Sequence, residues 1–149
     1  MKISFYILFI TFFFINIVST NENDYYLILK NNKVNVRIGP GFNYQIKYIY
    51  KKKNLPIKVI DKKENFRRII DFKKNSGWIH VSQLKKGKFL ILLKDQILFS
   101  KPTKYSKPIL KILKVRLLLV KKCKKNWCNI KTGQYSGWIE NTNIWGKVN

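Results

Sequence analysis

One tetrapeptide occurs twice in this chain. Ser76-Gly77-Trp78-Ile79 returns as Ser136-Gly137-Trp138-Ile139, sixty residues further on. Each copy follows a strand-like run carrying Asn and an aromatic residue, Asn65-Phe66 in one case and Asn126-Trp127 in the other. An echo at fixed spacing means one supersecondary unit built more than once. The apolar period around it is two, so each tetrapeptide is expected on the closing strand of a small β unit.

The first copy can be followed turn by turn. Val34, Val36 and Ile38 alternate with Asn35 and Arg37, the pattern of a half-buried strand. Gly39-Pro40-Gly41 stops it, since the glycines permit positive φ and the proline fixes a turn. Ile46, Tyr48 and Tyr50 alternate with Lys47, Ile49 and Lys51. Ile57 and Val59, with Asp61 at the limit of the pattern, alternate with Lys58 and Ile60. Phe66, Arg68 and Ile70 oppose Arg67, Ile69 and Asp71, and Gly77 to Val81 closes the unit. Short strands parted by polar turns fit a small barrel or a sandwich. The apolar run Tyr25 to Leu29 reads as a lead-in or edge strand. No stretch shows helical periodicity with caps.

Lys85-Lys86-Gly87-Lys88 links the copies, and Phe89 to Leu93 begins the second while packing against the first. The second copy is worn. Ile97-Leu98-Phe99 stands for Val36-Arg37-Ile38, and Lys101-Pro102-Thr103 for Gly39-Pro40-Gly41. Tyr105 stands for Tyr44, and Cys123 to Ile130 for Lys62 to Ile69. The domains are therefore expected at residues 31–86 and 89–147, each of about five strands.

The N-terminus has the layout of a secretory signal peptide over residues 1–20. Lys2 precedes the apolar Ile3 to Val18, and small residues at Ser19 and Thr20 precede a polar spacer. The apolar run is short for a membrane span, which takes about 20 residues. Membrane attachment is thus expected only if the segment is retained, and the chain is expected in the periplasm or cell envelope. Each unit left after removal is very small, and a domain of about 60 residues buries only about 60% of its unfolded surface.

Lysine and arginine number 31 against 7 acids, for a net charge of +24. Such a field favours anionic partners. Part of the excess has blander origins. Alanine is absent while Asn, Lys, Ile, Phe and Tyr abound, which fits an AT-rich coding bias, and lysines on exposed strands resist edge-to-edge pairing. The only cysteines are Cys123 and Cys128. An even count in an exported chain reads as a disulfide, here across the base of a tight hairpin. A zinc site would need two further ligands, and the chain has one histidine, His80.

These residues resemble the bacterial SH3-like family. Val34-Asn35-Val36-Arg37-Ile38-Gly39-Pro40-Gly41, then Tyr44, then Gly77-Trp78-Ile79-His80, is similar to that family's Asn-Val-Arg-x-Gly-Pro-Gly … Tyr … Gly-Trp-(Val/Ile) pattern. The second copy resembles a divergent member, as in exported tandem SH3-domain proteins of Gram-negative bacteria, where a Cys-x-x-x-Trp-Cys hairpin like Cys123 to Cys128 also occurs. The resemblance spans roughly residues 33–146. It implies an all-β chain of two tandem SH3-like barrels without enzymatic activity, of the kind that targets other proteins to the cell wall or envelope. Ile38 departs from the usual Ser or Ala, and the second copy lacks both loop glycines.

Catalytic chemistry finds little footing. His80 is the sole imidazole and reads as a surface or turn hydrogen-bonding group, and its pairing with Cys128 would need a free thiol. Asp61, Glu64 and Asp71 lie in lysine-rich turns and read as solvated rather than as an acid–base pair. Gly39-Pro40-Gly41 precedes a strand, not the helix a phosphate loop opens. Trp78 and Trp138 are expected in the barrel cores. The ligand-binding candidates are then Arg37, Phe42, Tyr44, Tyr48, Lys51 and Lys52, with Tyr50, Lys47 and Lys53 beside them. Aromatics interleaved with lysines also suit single-stranded nucleic acid, which an exported chain rarely meets. No cofactor or metal is expected. The expected function is an exported binding module for peptidoglycan, another anionic envelope component or an envelope protein. The competing expectation is an assembly factor that binds a protein in the groove between the repeats.

Overall fold

The computed structural model describes residues 25–146, and the expected signal segment lies outside them. The described residues form fourteen strands in two antiparallel seven-stranded sheets, with no α-helix. The first sheet holds β1 (Tyr25–Leu29), β2 (Val34–Arg37), β3 (Ile46–Tyr50), β4 (Pro56–Lys63), β5 (Phe66–Ile70), β6 (Ser76–His80) and β7 (Leu84–Lys85). The second holds β8 (Phe89–Leu92), β9 (Gln96–Phe99), β10 (Pro108–Ile112), β11 (Leu117–Lys124), β12 (Trp127–Thr132), β13 (Tyr135–Glu140) and β14 (Ile144–Trp145). The spatial orders, β3-β2-β6-β5-β4-β1-β7 and β10-β9-β13-β12-β11-β8-β14, are one topology used twice. Among the described residues no helix is long and apolar enough to cross a membrane.

Each sheet has more strands than the five expected. The additions are the two-residue β7 and β14 and the lead-in strands β1 and β8. Neither lead-in strand is an edge: β1 lies between β4 and β7, and β8 between β11 and β14. The two lead-ins are equivalents. Leu29 accepts from the Asn54 amide as Leu92 accepts from that of Val115, and the Lys30 and Leu93 amides donate to Gln83 and Asn143 carbonyls.

Alternation fills two cores. Val34, Val36, Ile57, Val59, Ile69 and Ile79 bury one face of the first sheet. Leu98, Leu118, Val120, Cys128, Ile130 and Ile139 do so in the second. Each such side chain contributes about 1.5–3 kcal/mol by leaving water. A β-bulge follows Val59, and its counterpart follows Val120. The first bulge breaks the period of two and leaves Asp61 exposed, off the inward face.

The boundary between the units is covalent rather than physical. Leu90 and Leu92 of β8 point into the second core, while Ile91 between them lies in the first. Leu117 and Trp145 also pack on the first core, whereas their neighbours Leu118 and Ile144 serve the second. The Trp145 indole donates to the Pro56 carbonyl at 2.9 Å and meets the Tyr26 ring edge-on at 5.4 Å.

Three expectations are corrected. Trp78 and Trp138 are not core residues: both are half-buried on the outer faces of β6 and β13, while Gly77, Ile79, Gly137 and Ile139 are buried. A β-carbon at Gly77 would collide with Val36, and one at Gly137 would stand 2.6 Å from the Phe99 carbonyl oxygen. Glycine therefore takes the inward slot and sends tryptophan outward. The second copy is also shifted by one residue from its expected alignment at β9. Phe99 pairs with Trp138 as Arg37 pairs with Trp78, so Leu98 corresponds to Val36. Finally, Asp71 is not solvated but 2% exposed. Its carboxylate accepts from the Lys73 and Asn75 amides, the Asn75 side chain and the Tyr50 hydroxyl, all within 3.0 Å.

Candidate functional site

The loop between β2 and β3 and the ends of β5 and β6 build an exposed ridge. Arg37, the last residue of β2, donates through Nη1 to the carbonyls of Phe42 at 3.1 Å and Tyr44 at 2.6 Å. Its guanidinium also lies 5.5 Å from the centroid of the Phe42 ring. Phe42 is 65% exposed, yet its ring touches two others, Phe66 at 5.3 Å and His80 at 5.0 Å. Phe66 and His80 face each other across the β5–β6 ladder at 5.1 Å. The result is a loop held by a cation from inside, with an aromatic residue presented at its tip.

The glycines of this loop act through space rather than through φ. Neither Gly39 nor Gly41 has positive φ, which corrects that expectation. A β-carbon at Gly39 would collide with the Tyr44 ring, and one at Gly41 would lie 3.2 Å from it. The tight loop and the tyrosine are thus one device.

The second barrel confirms the coupling. Its loop has the same backbone bonds, with Ser100 to Lys107 matching Ile38 to Gln45 and Thr103 to Lys101 matching Gly41 to Gly39. In that register Ser106, not Tyr105, occupies the place of Tyr44. Tyr105 is fully exposed at 100%. With no ring to accommodate, Lys101 and Thr103 replace both glycines. The Ser106 hydroxyl ties the loop instead, donating to the Lys101 and Thr103 carbonyls. The ridge chemistry also changes. Glu140 replaces His80 and Trp127 replaces Phe66, while Lys104 pairs with Glu140 at 3.0 Å and Phe99 meets Trp127 edge-on at 5.8 Å.

The expected site residues divide three ways. Arg37, Phe42 and Tyr44 come together on the ridge. Tyr48 faces inward, with its hydroxyl 3.4 Å from that of Tyr50, which donates to Asp71 at 2.9 Å. Burial pushes the Tyr50 phenol far above its ordinary value, and the Tyr48 hydroxyl and Asp71 carboxylate push it the same way. This chain of hydroxyls is structural. Lys51 and Lys52 are exposed beyond the far end of β3, about 17 Å from the loop for a five-residue strand. Sequence reasoning missed Phe66 and His80 as ridge residues. The repeated Asn-aromatic pair was the available signal, because it fixes Phe66 at the start of β5, opposite His80.

Other chemistry is spoken for. Cys123 and Cys128 form a disulfide across the β11–β12 pair, with Cα atoms 4.0 Å apart. His80 Nδ1 is bonded to the Ser82 hydroxyl at 2.8 Å and accepts from the Ser82 amide, starting the short 3₁₀ turn Val81–Gln83. Among the described residues no group of three His, Cys, Asp or Glu is placed to hold a metal.

A bacterial SH3 domain model matches the chain twice, over residues 30–86 and 94–146. No curated protein matches significantly. Among solved structures, NlpC2 from Trichomonas vaginalis matches at 14% identity and a TM-score of 0.39, covering 83% of this chain and 48% of that one. NlpC1 from the same organism matches at 12% and 0.39, covering 87% and 48%. The chain thus spans about half the length of these structures.

Proposed function

The chain belongs to the bacterial SH3 domain family, and on that premise we propose that it is an exported, non-enzymatic module that binds a cell-wall polymer. The observation that carries this reading is the Phe42 ridge. Phe42 is 65% exposed at a loop tip, and Ile38, Tyr44 and Ile46 of the same loop and its flanking strand are exposed with it, a clustering of apolar side chains of the kind that marks an interaction surface. Arg37 and the Phe66–His80 pair hold the Phe42 ring in one place, so little further ordering is needed on binding. Such a ring offers its face to a sugar ring or to the stem peptide of peptidoglycan, and the +24 charge draws the module to an anionic polymer.

Ile91, Leu117 and Trp145 pack into the junction between the barrels against the first core. The assembly-factor alternative, which places a protein partner in that groove, is correspondingly less favoured than the ridge.

Co-sedimentation with purified peptidoglycan sacculi at low and high salt tests the proposal. Salt screens attraction between exposed charges more than about 10 Å apart at 0.1 M, and at shorter range as salt rises, so retention at high salt reports contact chemistry. Retention should persist at 0.5 M salt for the wild-type chain and fall at least tenfold for Phe42→Ala. Absence of retention at every salt concentration would refute wall binding.

A further inference from the structure

A hollow beside the ridge has a chemistry of its own. It lies on the outer face of β6 and is lined by Trp78, Lys47, Arg68, Ser76 and Ile38. Trp78 sits between Arg37 on β2 and Arg68 on β5 in the cross-strand register. The Arg68 guanidinium is exposed and has no hydrogen bond or ion pair among the described residues, although Asp61 is its register neighbour on β4. Lys47 Nζ donates to the Ser76 carbonyl at 3.0 Å, which anchors the ammonium at the rim with donors to spare. The Ser76 hydroxyl oxygen is buried without a partner. An unpaired buried hydroxyl costs free energy that a ligand can return, and Ser76 is one of the residues lining the hollow.

The second barrel provides an internal contrast. The equivalent serine, Ser136, accepts from Lys121 Nζ at 3.1 Å and is satisfied. Asn129 replaces Arg68 and Ile109 replaces Lys47, with the Ile109 side chain against Gly137. Lys122 lies 5.8 Å over the Trp138 ring, where the first barrel has Asp61. The same fold position carries a lysine over its tryptophan in one copy and a hollow lined by cations in the other.

We propose that the Trp78 hollow is a subsite for a sugar ring that carries a carboxylate. The indole supplies a flat apolar face, Arg68 a planar fork that matches a carboxylate, and Lys47 a second charge. The subsite rests on the wall-polymer reading for its biological source, but it is testable with monosaccharides alone.

The full chain, labelled with ¹⁵N, is titrated with N-acetylmuramic acid, glucuronic acid and N-acetylglucosamine while the four indole N–H signals are followed. The two acids should move the Trp78 signal and leave that of Trp138 in place, and the neutral sugar should bind at least tenfold more weakly. Arg68→Gln should weaken the acids about tenfold while Asn129→Ala does nothing, with unchanged chemical shifts elsewhere showing that the fold is kept. Equal response to the neutral sugar, equal movement of Trp138, or no movement of Trp78 would overturn the subsite. Sacculus retention separates the two ideas: retention without a Trp78 response sinks the subsite and spares wall binding. A Trp78 response without retention does the reverse.

Discussion

The ring of Tyr44 occupies the space that a β-carbon on Gly39 would need. In the second barrel both partners of this contact have changed together, to Ser106 and Lys101, and the loop backbone bonds are the same. The pair predicts a coupling. Gly39→Ala alone should destabilise by about 2 kcal/mol, as overpacking does. In a Tyr44→Ser background the same change should cost less than about 0.5 kcal/mol, an interaction within the range of contacting residues. A double-mutant cycle in urea measures it, and additive effects would contradict the steric account.

Asp71 is the buried polar anchor of the β5–β6 turn. Asp71→Ala leaves two backbone amides, the Asn75 amide group and the Tyr50 hydroxyl without an acceptor. The expected loss is about 3 kcal/mol or more, and about 1 kcal/mol for Tyr50→Phe, which removes the bond to Asp71 and the longer contact with the Tyr48 hydroxyl. Equilibrium denaturation distinguishes the two, and equal effects would mean that the turn amides do not depend on Asp71.

Val115 has φ of 65°, a backbone conformation that a β-branched side chain rarely takes. Its counterpart in the first barrel is Asn54, with φ of 63° and the matching bond to the lead-in strand. Val115→Asn should therefore raise stability by about 1 kcal/mol. A thermal midpoint that falls would show that Val115 makes contacts worth more than its strain.

The Cys123–Cys128 bridge closes a short loop, so reduction should cost only about 2 kcal/mol. Dithiothreitol should lower the melting temperature without abolishing folding, and Cys123→Ser, which breaks the bridge at its half-buried end and leaves the buried Cys128 thiol in place, should match the reduced protein.

Asp95 accepts the Lys114 amide at 2.8 Å and pairs with Lys111 at 3.0 Å. The backbone bond first, and Lys111 second, hold its carboxyl below the ordinary 3.8. A depressed folded value means that the unfolded chain takes up the proton more readily. The advantage of the wild type over Asp95→Asn should be full above the ordinary carboxylate range and should disappear as pH falls through the folded value. Melting temperatures of both proteins from about pH 7 down to about pH 2 test this. A gap that stays constant with pH would rule out the charge as its source.

Much of the architecture was legible because it rests on local rules. Alternation marked most of the strands, and the echoed Gly-Trp marked equivalent strands of the two barrels, β6 and β13, although the short β7 and β14 rather than these come last. The errors arose where a rule about one residue was overridden by its neighbour in space. Tryptophan is usually the larger apolar candidate for a core, but Gly77 had already taken the inward position beneath Val36. Asp71 sits among lysines in sequence and among amides in the fold. The match of Tyr105 to Tyr44 followed residue type, whereas the backbone bonds of the loop select Ser106. The ridge was half visible: Arg37, Phe42 and Tyr44 are close in sequence, but Phe66 and His80 reach them only through the ladder. The apolar runs Tyr25 to Leu29 and Phe89 to Leu92 were both visible, but their equivalence needed the pairing of each with its long neighbour, β4 or β11.

β8 has further significance for how such a chain assembles. A slip of one residue along a strand exchanges its two faces. In most strands that error moves apolar side chains into water. Here it would put Ile91 into the second core and Leu90 with Leu92 towards the first, so both cores would have to repack together. The strand therefore couples the registers of the two halves, and the unit that packs is the pair rather than the single barrel.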